Sequence, residues 1–360
     1  MTKKALGLII LLLCFSVIVA GCAQTAPPAQ EPQPEQSPDT ETPTAEDPSG
    51  SNGEPAKGNS PDTSVGSPAQ GELVTFTIWG VTPDLMYLVP LTVEADHPED
   101  RPYQAIKLLS AWPDKSGATV SPWPEGTNIE LAGGIKNGTA TVNITNLKTG
   151  AFGSSREAFA LDSIVYTLTQ FAEPGIKRVQ VLVDGKTQET LAGHVDISRP
   201  LEPGTYINWI SWSDSEPNPQ DATALTLYFA EPNAMYLVPV TRLVPKTKAV
   251  ARATIEELIR GPEKESGLSA VIPAGTRCLS VKLDQGTLTV DFSRELRDNH
   301  SGGTAGEALT IGGIVHSLSA LPGVERVQIL IEGKPGASIG GHVLLTEPVR
   351  AQYLNLLPQF

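Results

Sequence analysis

The amino-acid sequence predicts an α+β fold made of two tandem homologous domains. One observation behind this prediction is an internal repeat, because RVQVLVDGK at 178–186 returns as RVQILIEGK at 326–334. A second is that both copies alternate strand-like and helix-like patterns of hydrophobicity in the same order. We therefore expect each domain to be a mostly antiparallel or mixed β-sheet with two helices packed on one face, in the order β-β-α-β-β-α-β.

The repeat covers almost the whole chain from residue 73 onward. MYLVP at 86–90 recurs at 235–239, and the closing segment YINWI at 206–210 recurs as YLNLL at 353–357. A spacing of about 150 residues is far longer than the period of a solenoid repeat. It indicates a duplicated domain.

The first half of each copy contains two strands, a helix and a hairpin. Two apolar strands come first, and the second of them contains MYLVP. A helix follows, because apolar residues keep to one face, as Ile255, Leu258 and Ile259 do in the second copy. The hairpin comes next, where Asn137-Gly138 in the first copy favours a type I′ turn.

The second half of each copy contains a longer helix and a central strand. Apolar residues recur at helical spacing in both copies: Ala158, Leu161, Val165 and Leu168 in the first, and Ala308, Ile311, Val315 and Leu318 in the second. A Pro-Gly pair ends each helix. The strand that follows ends at a turn, Asp184-Gly185 in the first copy and Glu332-Gly333 in the second.

The N-terminus has the features of a secretion signal. Lys3 and Lys4 precede an apolar run that is shorter than the roughly 20 residues of a transmembrane helix. The run ends in VAGC, which resembles the lipobox of bacterial lipoproteins. That resemblance implies a signal peptide over 1–21 and a lipid on Cys22, which would anchor the chain to a membrane. The alternative is an ordinary secretory signal with an accidental cysteine.

A segment of unusual composition, 22–70, separates the signal peptide from the repeat. Residues 23–70 contain ten prolines, eight acidic residues and one lysine, and no aromatic residue. Such a composition predicts a disordered tether with extended, polyproline-like stretches. The expected boundaries of the folded part are then 71–212 for the first domain, 213–222 for a linker and 223–360 for the second domain.

Charge and cysteine content argue against a nucleic-acid-binding protein and against a disulfide-stabilised one. The net charge of −14 would repel phosphate backbones, so no nucleic-acid partner is expected. Of the three cysteines, Cys14 would leave with the signal peptide and Cys22 would carry the lipid. Cys278 would then be alone, so no disulfide is expected in the mature chain. Its position within a strand pattern predicts a buried, inert thiol.

The segment VYTLTQFAEPGIKRVQVLVDGK at 165–186 resembles the core signature of the GerMN domain, which is found in bacterial sporulation and spore-germination proteins. The resemblance extends over 73–200 and 223–348. The second copy departs from the signature in VHSLSALPG and in having Glu332 where the first copy has Asp184. The resemblance implies a role in spore formation or germination at the cell envelope.

Few residues suggest catalysis or metal binding. The sequence contains no HExxH, no cysteine pair with zinc-ligand spacing and no GxSxG. His194 and His342 are repeat equivalents, which invites a metal or acid–base role. We expect a structural role in which backbone carbonyls satisfy the two rings. His316 takes the place of Tyr166 in the second copy, so packing explains it better than catalysis.

Three further features have two interpretations each. Asp184 and Asp196 are the best candidate pair for glycoside cleavage, but Leu344 replaces the second of them in the other copy. The glycine-rich segment 302–313 fits a helix cap with close packing better than a phosphate-binding loop. The tryptophans of YINWISWSD, Trp209 and Trp212, either pack the end of the first copy or form a docking surface.

These patterns predict a non-catalytic, lipid-anchored binding or scaffold protein at the outer face of the cell membrane. It would act through protein–protein assembly in sporulation or spore germination. Its expected partners are envelope or sporulation proteins, with peptidoglycan as a further candidate, and no cofactor or metal is expected. The alternatives are a peptidoglycan or cortex hydrolase, an activator of one, and a lipid-anchored solute receptor. The oligomeric state stays open.

Overall fold

The computed structural model describes residues 74–95, 97–211, 216–336 and 338–357. The predicted signal peptide and tether, including Cys22, lie outside the described residues, as does Trp212. No helix in the described part of the chain combines the length and apolar character that a membrane span requires.

The first copy has the predicted order of elements. They are β1 (Thr75–Val81), β2 (Leu88–Glu94), α1 (Arg101–Ser110), β3 (Asn128–Lys136), β4 (Thr139–Thr145), α2 (Ser154–Thr169) and β5 (Arg178–Val183). Strands β1 and β2 form an antiparallel ribbon. Strand β4 pairs antiparallel with β3 and parallel with β5, which gives a three-stranded mixed sheet.

The second copy repeats this order and adds two short elements. Its elements are β6 (Ala222–Ala230), β7 (Leu237–Pro245), α3 (Val250–Arg260), β8 (Cys278–Asp284), β9 (Thr287–Phe292), α4 (Glu295–Asp298), α5 (Gly303–Ser319), β10 (Arg326–Ile331) and β11 (Lys334–Pro335). Helix α4 and strand β11 have no counterpart in the first copy. The ribbon is β6–β7, and the mixed sheet has the order β11-β10-β9-β8.

The α+β class and the tandem arrangement are therefore as predicted, but each copy has two sheets where one was expected. On the outer edge of β1, the side chains of Thr167 on α2 and of Gln170, which follows α2, bond to the backbone. The ribbon and the mixed sheet both contact α1 and α2.

The predicted turns are confirmed by their backbone angles. A type I′ turn needs positive φ at both central residues. Asn137 and Gly138 have φ of 50° and 74°, and Asp184 and Gly185 have 49° and 74°. Asparagine, aspartate and glycine tolerate this left-handed conformation best, which is why these residues end the strands.

Each copy buries an apolar interior between its helices and its sheets. Ile78, Leu109 and Leu168 are fully buried in the first copy, as Phe229 and Phe292 are in the second. The interior of the first copy also contains residues from the second, namely Tyr236, Val238 and Leu357. The first copy therefore shares part of its core with the second.

Candidate functional site

The junction of the two copies is built around an asparagine in each YINWI-type tail. In the first tail the amide oxygen of Asn208 accepts the N–H of Leu88 at 2.7 Å. The amide nitrogen of Asn208 donates to the carbonyls of Leu88 at 2.8 Å and of Pro239 at 2.7 Å. Leu88 lies on β2 and Pro239 on β7, so one side chain joins a strand of each copy.

Asn355 does the same from the second tail. Its amide oxygen accepts the N–H of Leu237 at 2.7 Å, and its amide nitrogen donates to the carbonyls of Leu237 at 2.8 Å and of Pro90 at 2.7 Å. Both asparagines have positive φ, 48° for Asn208 and 53° for Asn355. The two tails therefore make equivalent contacts, and the copies face each other across an approximate two-fold axis.

The tyrosines of the two MYLVP segments also cross the junction. The Tyr87 hydroxyl donates to the carbonyl of Ser266 at 3.0 Å, and the Tyr236 hydroxyl donates to the Asp114 carboxylate at 3.2 Å. Both rings are buried. Burial raises the pKa of Tyr87 to about 12, which keeps the hydroxyl protonated as a donor. Each copy thus inserts one aromatic side chain into a loop of the other.

An aromatic groove of about 390 Å³ opens beside this junction. Its lining includes Trp79, Pro90, Tyr166 and Pro203 of the first copy and Tyr228 and Leu354 of the second. The rings of Trp79 and Tyr166 have centroids 5.2 Å apart. The groove could hold an apolar or planar group, since its walls are mostly aromatic rings and prolines.

His316 packs as its repeat position predicts. Its ring lies 5.5 Å from the ring of Tyr228, in the arrangement that Tyr166 and Trp79 have in the first copy. Burial lowers the pKa of His316 to about 4 and raises the pKa of Tyr228 to about 12. Both groups are neutral near pH 7, which suits packing better than proton transfer.

Asp162 is a carboxyl that the sequence patterns did not single out. It lies on α2 one turn before Tyr166, whose pKa is raised by burial and, to a smaller extent, by the charge of Asp162. Burial raises the pKa of Asp162 to about 6. The second copy has Gly312 at this position, where a Cβ would come within 2.9 Å of the Leu237 side chain. The carboxyl is thus specific to the first copy.

A fully buried glutamate on the second helix of each copy holds the GHV segment. Glu157 accepts the backbone N–H groups of Ala192 at 2.9 Å, His194 at 3.0 Å and Val195 at 3.2 Å. The imidazoles of His194 and His342 are exposed, and neither has a hydrogen-bond partner among the described residues. The prediction that carbonyls satisfy these rings is therefore wrong, because the contact is made by the histidine backbone.

Glu307 is the corresponding residue in the second copy. Its carboxylate accepts the N–H groups of Ile339 and His342, each at 2.8 Å, and the hydroxyl of Ser338 at 2.5 Å. Burial alone would raise the pKa of Glu307. The hydrogen bonds from Ser338 and from the backbone of Gly340, His342 and Ile339 outweigh burial and lower it to about 2. The group is a charged structural clasp.

The remaining candidates show no catalytic arrangement. Asp196 accepts the Ser198 hydroxyl at 2.6 Å and the Ser198 N–H at 2.9 Å, and it pairs with Arg199 at 3.2 Å. These contacts lower the pKa of Asp196, whereas a general acid for glycoside cleavage needs a raised pKa. Asp184 is exposed at its turn. In the described part of the chain, no three potential ligands cluster to bind a metal.

Three other residues are placed as follows. Cys278 is half-buried instead of buried, because it stands at the start of the edge strand β8. Burial still raises its thiol pKa, which disfavours the reactive thiolate. Gly302 precedes α5 and would place a Cβ 2.6 Å from the Cα of Gly306, so close packing excludes a side chain there. Trp209 is 38% exposed and packs edge-on against Tyr206.

The fold and the junction define a class of protein with two α+β domains closed on each other by reciprocal contacts. The chain belongs to the Germane family, described as sporulation and spore germination, whose model matches residues 79–189 and 226–337. The predicted resemblance to GerMN domains is confirmed by this match.

Two relatives illustrate the similarity. The spore germination protein GerM of Bacillus subtilis (strain 168) is 28% identical over 280 residues, which cover 73% of this chain and 73% of that protein. The solved structure of the tandem GerMN domains of the sporulation protein GerM from Bacillus subtilis matches with a TM-score of 0.60 at 24% identity. That match covers 79% of this chain and 99% of the other and supports the fold.

Proposed function

We propose that the chain is a non-catalytic scaffold that acts in sporulation or spore germination through protein–protein assembly at the cell envelope. Lipid attachment at Cys22 would hold it at the outer face of the cell membrane. The family to which the chain belongs supports the biological process, and the relative GerM is named for germination.

The observation that carries the scaffold role is the reciprocal junction. Asn208 and Asn355 each bond strands of both copies, so the two domains present their outer surfaces in one fixed arrangement. A fixed arrangement lowers the entropy cost of binding a partner that contacts both domains. The duplication therefore supplies a wider rigid surface than one small domain could.

Site-specific photo-crosslinking in sporulating cells tests this role. A crosslinker is introduced at the exposed positions Trp209 and Leu344, and at the buried position Ile78 as a control. We expect defined envelope proteins to be captured from the exposed positions only. We also expect cells with Trp209→Ala to lose spore yield or germination, while the matched exposed aromatic variant Tyr103→Ala does not. Normal spores and no captured protein from either exposed position would contradict the scaffold role.

A peptidoglycan or cortex hydrolase is the second candidate, and Asp162 is the observation that favours it. Its pKa of about 6 would allow it to hold a proton near neutral pH, beside the aromatic groove that Tyr166 lines. Incubation of the purified chain with cortex fragments decides between the two functions. Released muropeptides that disappear with Asp162→Asn would favour the hydrolase, and their absence with the wild-type chain would favour the scaffold.

A further inference from the structure

The two ribbons have their outer edges at β1 and β6, since β2 and β7 face each other at the junction. On β1 the outward groups of Thr77 and the outward N–H of Trp79 are occupied. The Thr77 N–H donates to the Gln170 side chain at 2.7 Å, and the Gln170 amide returns a bond of 2.5 Å to the Thr77 carbonyl. The Trp79 N–H donates to the Thr167 hydroxyl at 3.2 Å. Side chains at the C-terminal end of α2 and directly after it thus take the place of a neighbouring strand.

The β6 edge has only part of this protection. The Tyr228 N–H donates to the Ser317 hydroxyl at 3.0 Å, as Trp79 does to Thr167. The residue equivalent to Gln170 is Ala320, which has no side-chain amide. Ala320, directly after α5, has φ −68° and ψ −14°, close to the −68° and −22° of Gln170 directly after α2. The β6 edge is therefore open because Ala320 lacks the amide of Gln170, and not because the backbone differs at this position.

The open groups are those of Ala222, Ala224 and Thr226. Tyr228 lies opposite Pro239 and Ala222 opposite Pro245, and a proline has no N–H to donate across the ladder. Backbone groups of alternate residues, Ala222 to Tyr228, therefore point away from β7. The outward groups of Ala224 and Thr226 have no hydrogen-bond partner within the described residues.

This edge also lacks the features that usually prevent strand pairing, which are charged side chains, prolines and bulges. Its sequence from Ala222 to Leu227 is uncharged, and its register with β7 is continuous. The edge strands β3 and β8 differ, because the register of each is interrupted by an irregularity. Ala224 is exposed and Thr226 half-buried, so a second backbone can approach.

We propose that the β6 edge from Ala222 to Thr226 binds an extended, basic segment of a partner polypeptide as an added strand. The outward groups repeat at every second residue, about 6.8 Å apart, which matches the spacing of donors and acceptors in an extended backbone. Ser317 and helix α5 close the edge at Tyr228. The added strand is therefore short.

The charge of the chain favours a basic partner over another molecule of the same chain. With a net charge of −14, two molecules of this chain repel each other, whereas a basic segment is attracted. The proposal deepens the scaffold role, on which it rests for its biological setting. It assigns the contact with the partner to backbone pairing at the β6 edge, which belongs to the second domain.

The test uses the full chain and a short capped peptide in which valine and threonine alternate between terminal lysines. We expect fluorescence-labelled peptide to bind, and hydrogen–deuterium exchange to slow at Ala224 and Thr226. Ala320→Gln should cap the edge as Gln170 does and weaken binding about tenfold or more, a loss of at least about 1.4 kcal/mol. Ala320→Ser, which is too short to reach Thr226, is the matched control and should bind as the wild type does.

Gln170→Ala provides the converse change. It should open the β1 edge and add a second, equivalent peptide site. Unchanged affinity in Ala320→Gln, or slowed exchange elsewhere than at β6, would overturn the proposal. Dimers that form through this edge without peptide would also overturn the proposal, because the added strand would then come from another molecule of the same chain. All these readouts are independent of spores, so failure here leaves the scaffold role standing, and a failed scaffold test leaves strand binding intact.

Discussion

Asn208 and Asn355 occupy equivalent positions in the two tails, and each bonds a backbone carbonyl of the other copy, Pro239 and Pro90 respectively. The equivalence extends to the bonds that each makes within its own copy, to Leu88 and to Leu237. A duplication has thus produced the kind of self-complementary contact that is typical of symmetric dimers, here within one chain.

We expect Asn208→Ala and Asn355→Ala each to lower the free energy of unfolding by about 1–3 kcal/mol, because buried backbone groups lose their partner. Urea unfolding followed by circular dichroism measures this change. Asn128→Ala is the control, since Asn128 is exposed and bonds only Thr145, at 3.4 Å. Equal stability of all three variants would show that the junction contributes nothing.

Glu307 should make the chain sensitive to acid. Its pKa is lowered from 4.5 to about 2 in the folded protein, so the folded state holds the charged form that the unfolded state protonates first. The stabilisation is complete above pH 4.5 and is lost as the pH falls towards 2. We expect Glu307→Gln to be less stable at pH 7 and to depend less on pH in this range. Urea midpoints at several pH values measure both effects, and parallel pH curves for the two proteins would contradict this prediction.

His316 should act in the same sense over a higher pH range. Burial lowers its pKa from 6.5 to about 4, so the unfolded chain binds the proton more tightly than the folded one does. Stability therefore falls as the pH drops from 6.5 to 4. His316→Tyr, which introduces the residue of the first copy, should flatten this part of the curve. Thermal unfolding at intervals of pH checks it, with the exposed variant His194→Tyr as control.

Asp162 should be a source of instability at neutral pH. Burial raises its pKa from 3.8 to about 6, so stability is lost as the pH rises through this interval. We expect Asp162→Asn to raise the free energy of unfolding at pH 7 by up to about 3 kcal/mol and to have little effect at pH 4. Asp196→Asn is the control, because the pKa of this exposed aspartate is lowered. A gain for Asp196→Asn alone would contradict this account.

Lipid attachment at Cys22 can be measured directly. We expect the wild-type chain to partition into the detergent phase and Cys22→Ala to partition into water, because the buried acyl chains supply about 0.8 kcal/mol per methylene. Mass spectrometry of the N-terminal peptide should find the acyl groups on the wild-type chain. Cys278→Ala is the control and should partition as the wild type does. An unmodified Cys22 in the mature protein would exclude the anchor.

The order of elements could be predicted from the sequence because strands, helices and turns depend on local patterns. Asn137-Gly138 and the apolar stripes of α2 and α5 are examples. The predicted stripe of α5 starts one residue later than the buried face of the helix does, since Ala308 is exposed and Glu307 beside it is buried. An acidic residue at equivalent positions of both helices, Glu157 and Glu307, was the signal that could have revealed the carboxylate clasp.

The junction could not be predicted in the same way. The contacts of Asn208 and Tyr87 join segments that are far apart in the sequence, and no periodicity specifies which strands meet. One sequence feature does indicate the junction, because an asparagine stands at the centre of both YINWI and YLNLL. The open β6 edge depends on the difference between Gln170 and Ala320, which has meaning only once their shared backbone geometry is known.

Leu357 is buried against the first copy, and its N–H donates to the Thr92 carbonyl at 2.9 Å. The ribosome therefore completes the first half of the molecule long before it makes the residue that seals it. During synthesis, that flank of the first half stays exposed to solvent until Leu357 has been made. A stop codon shortly before Leu357 would leave the first half without this contact.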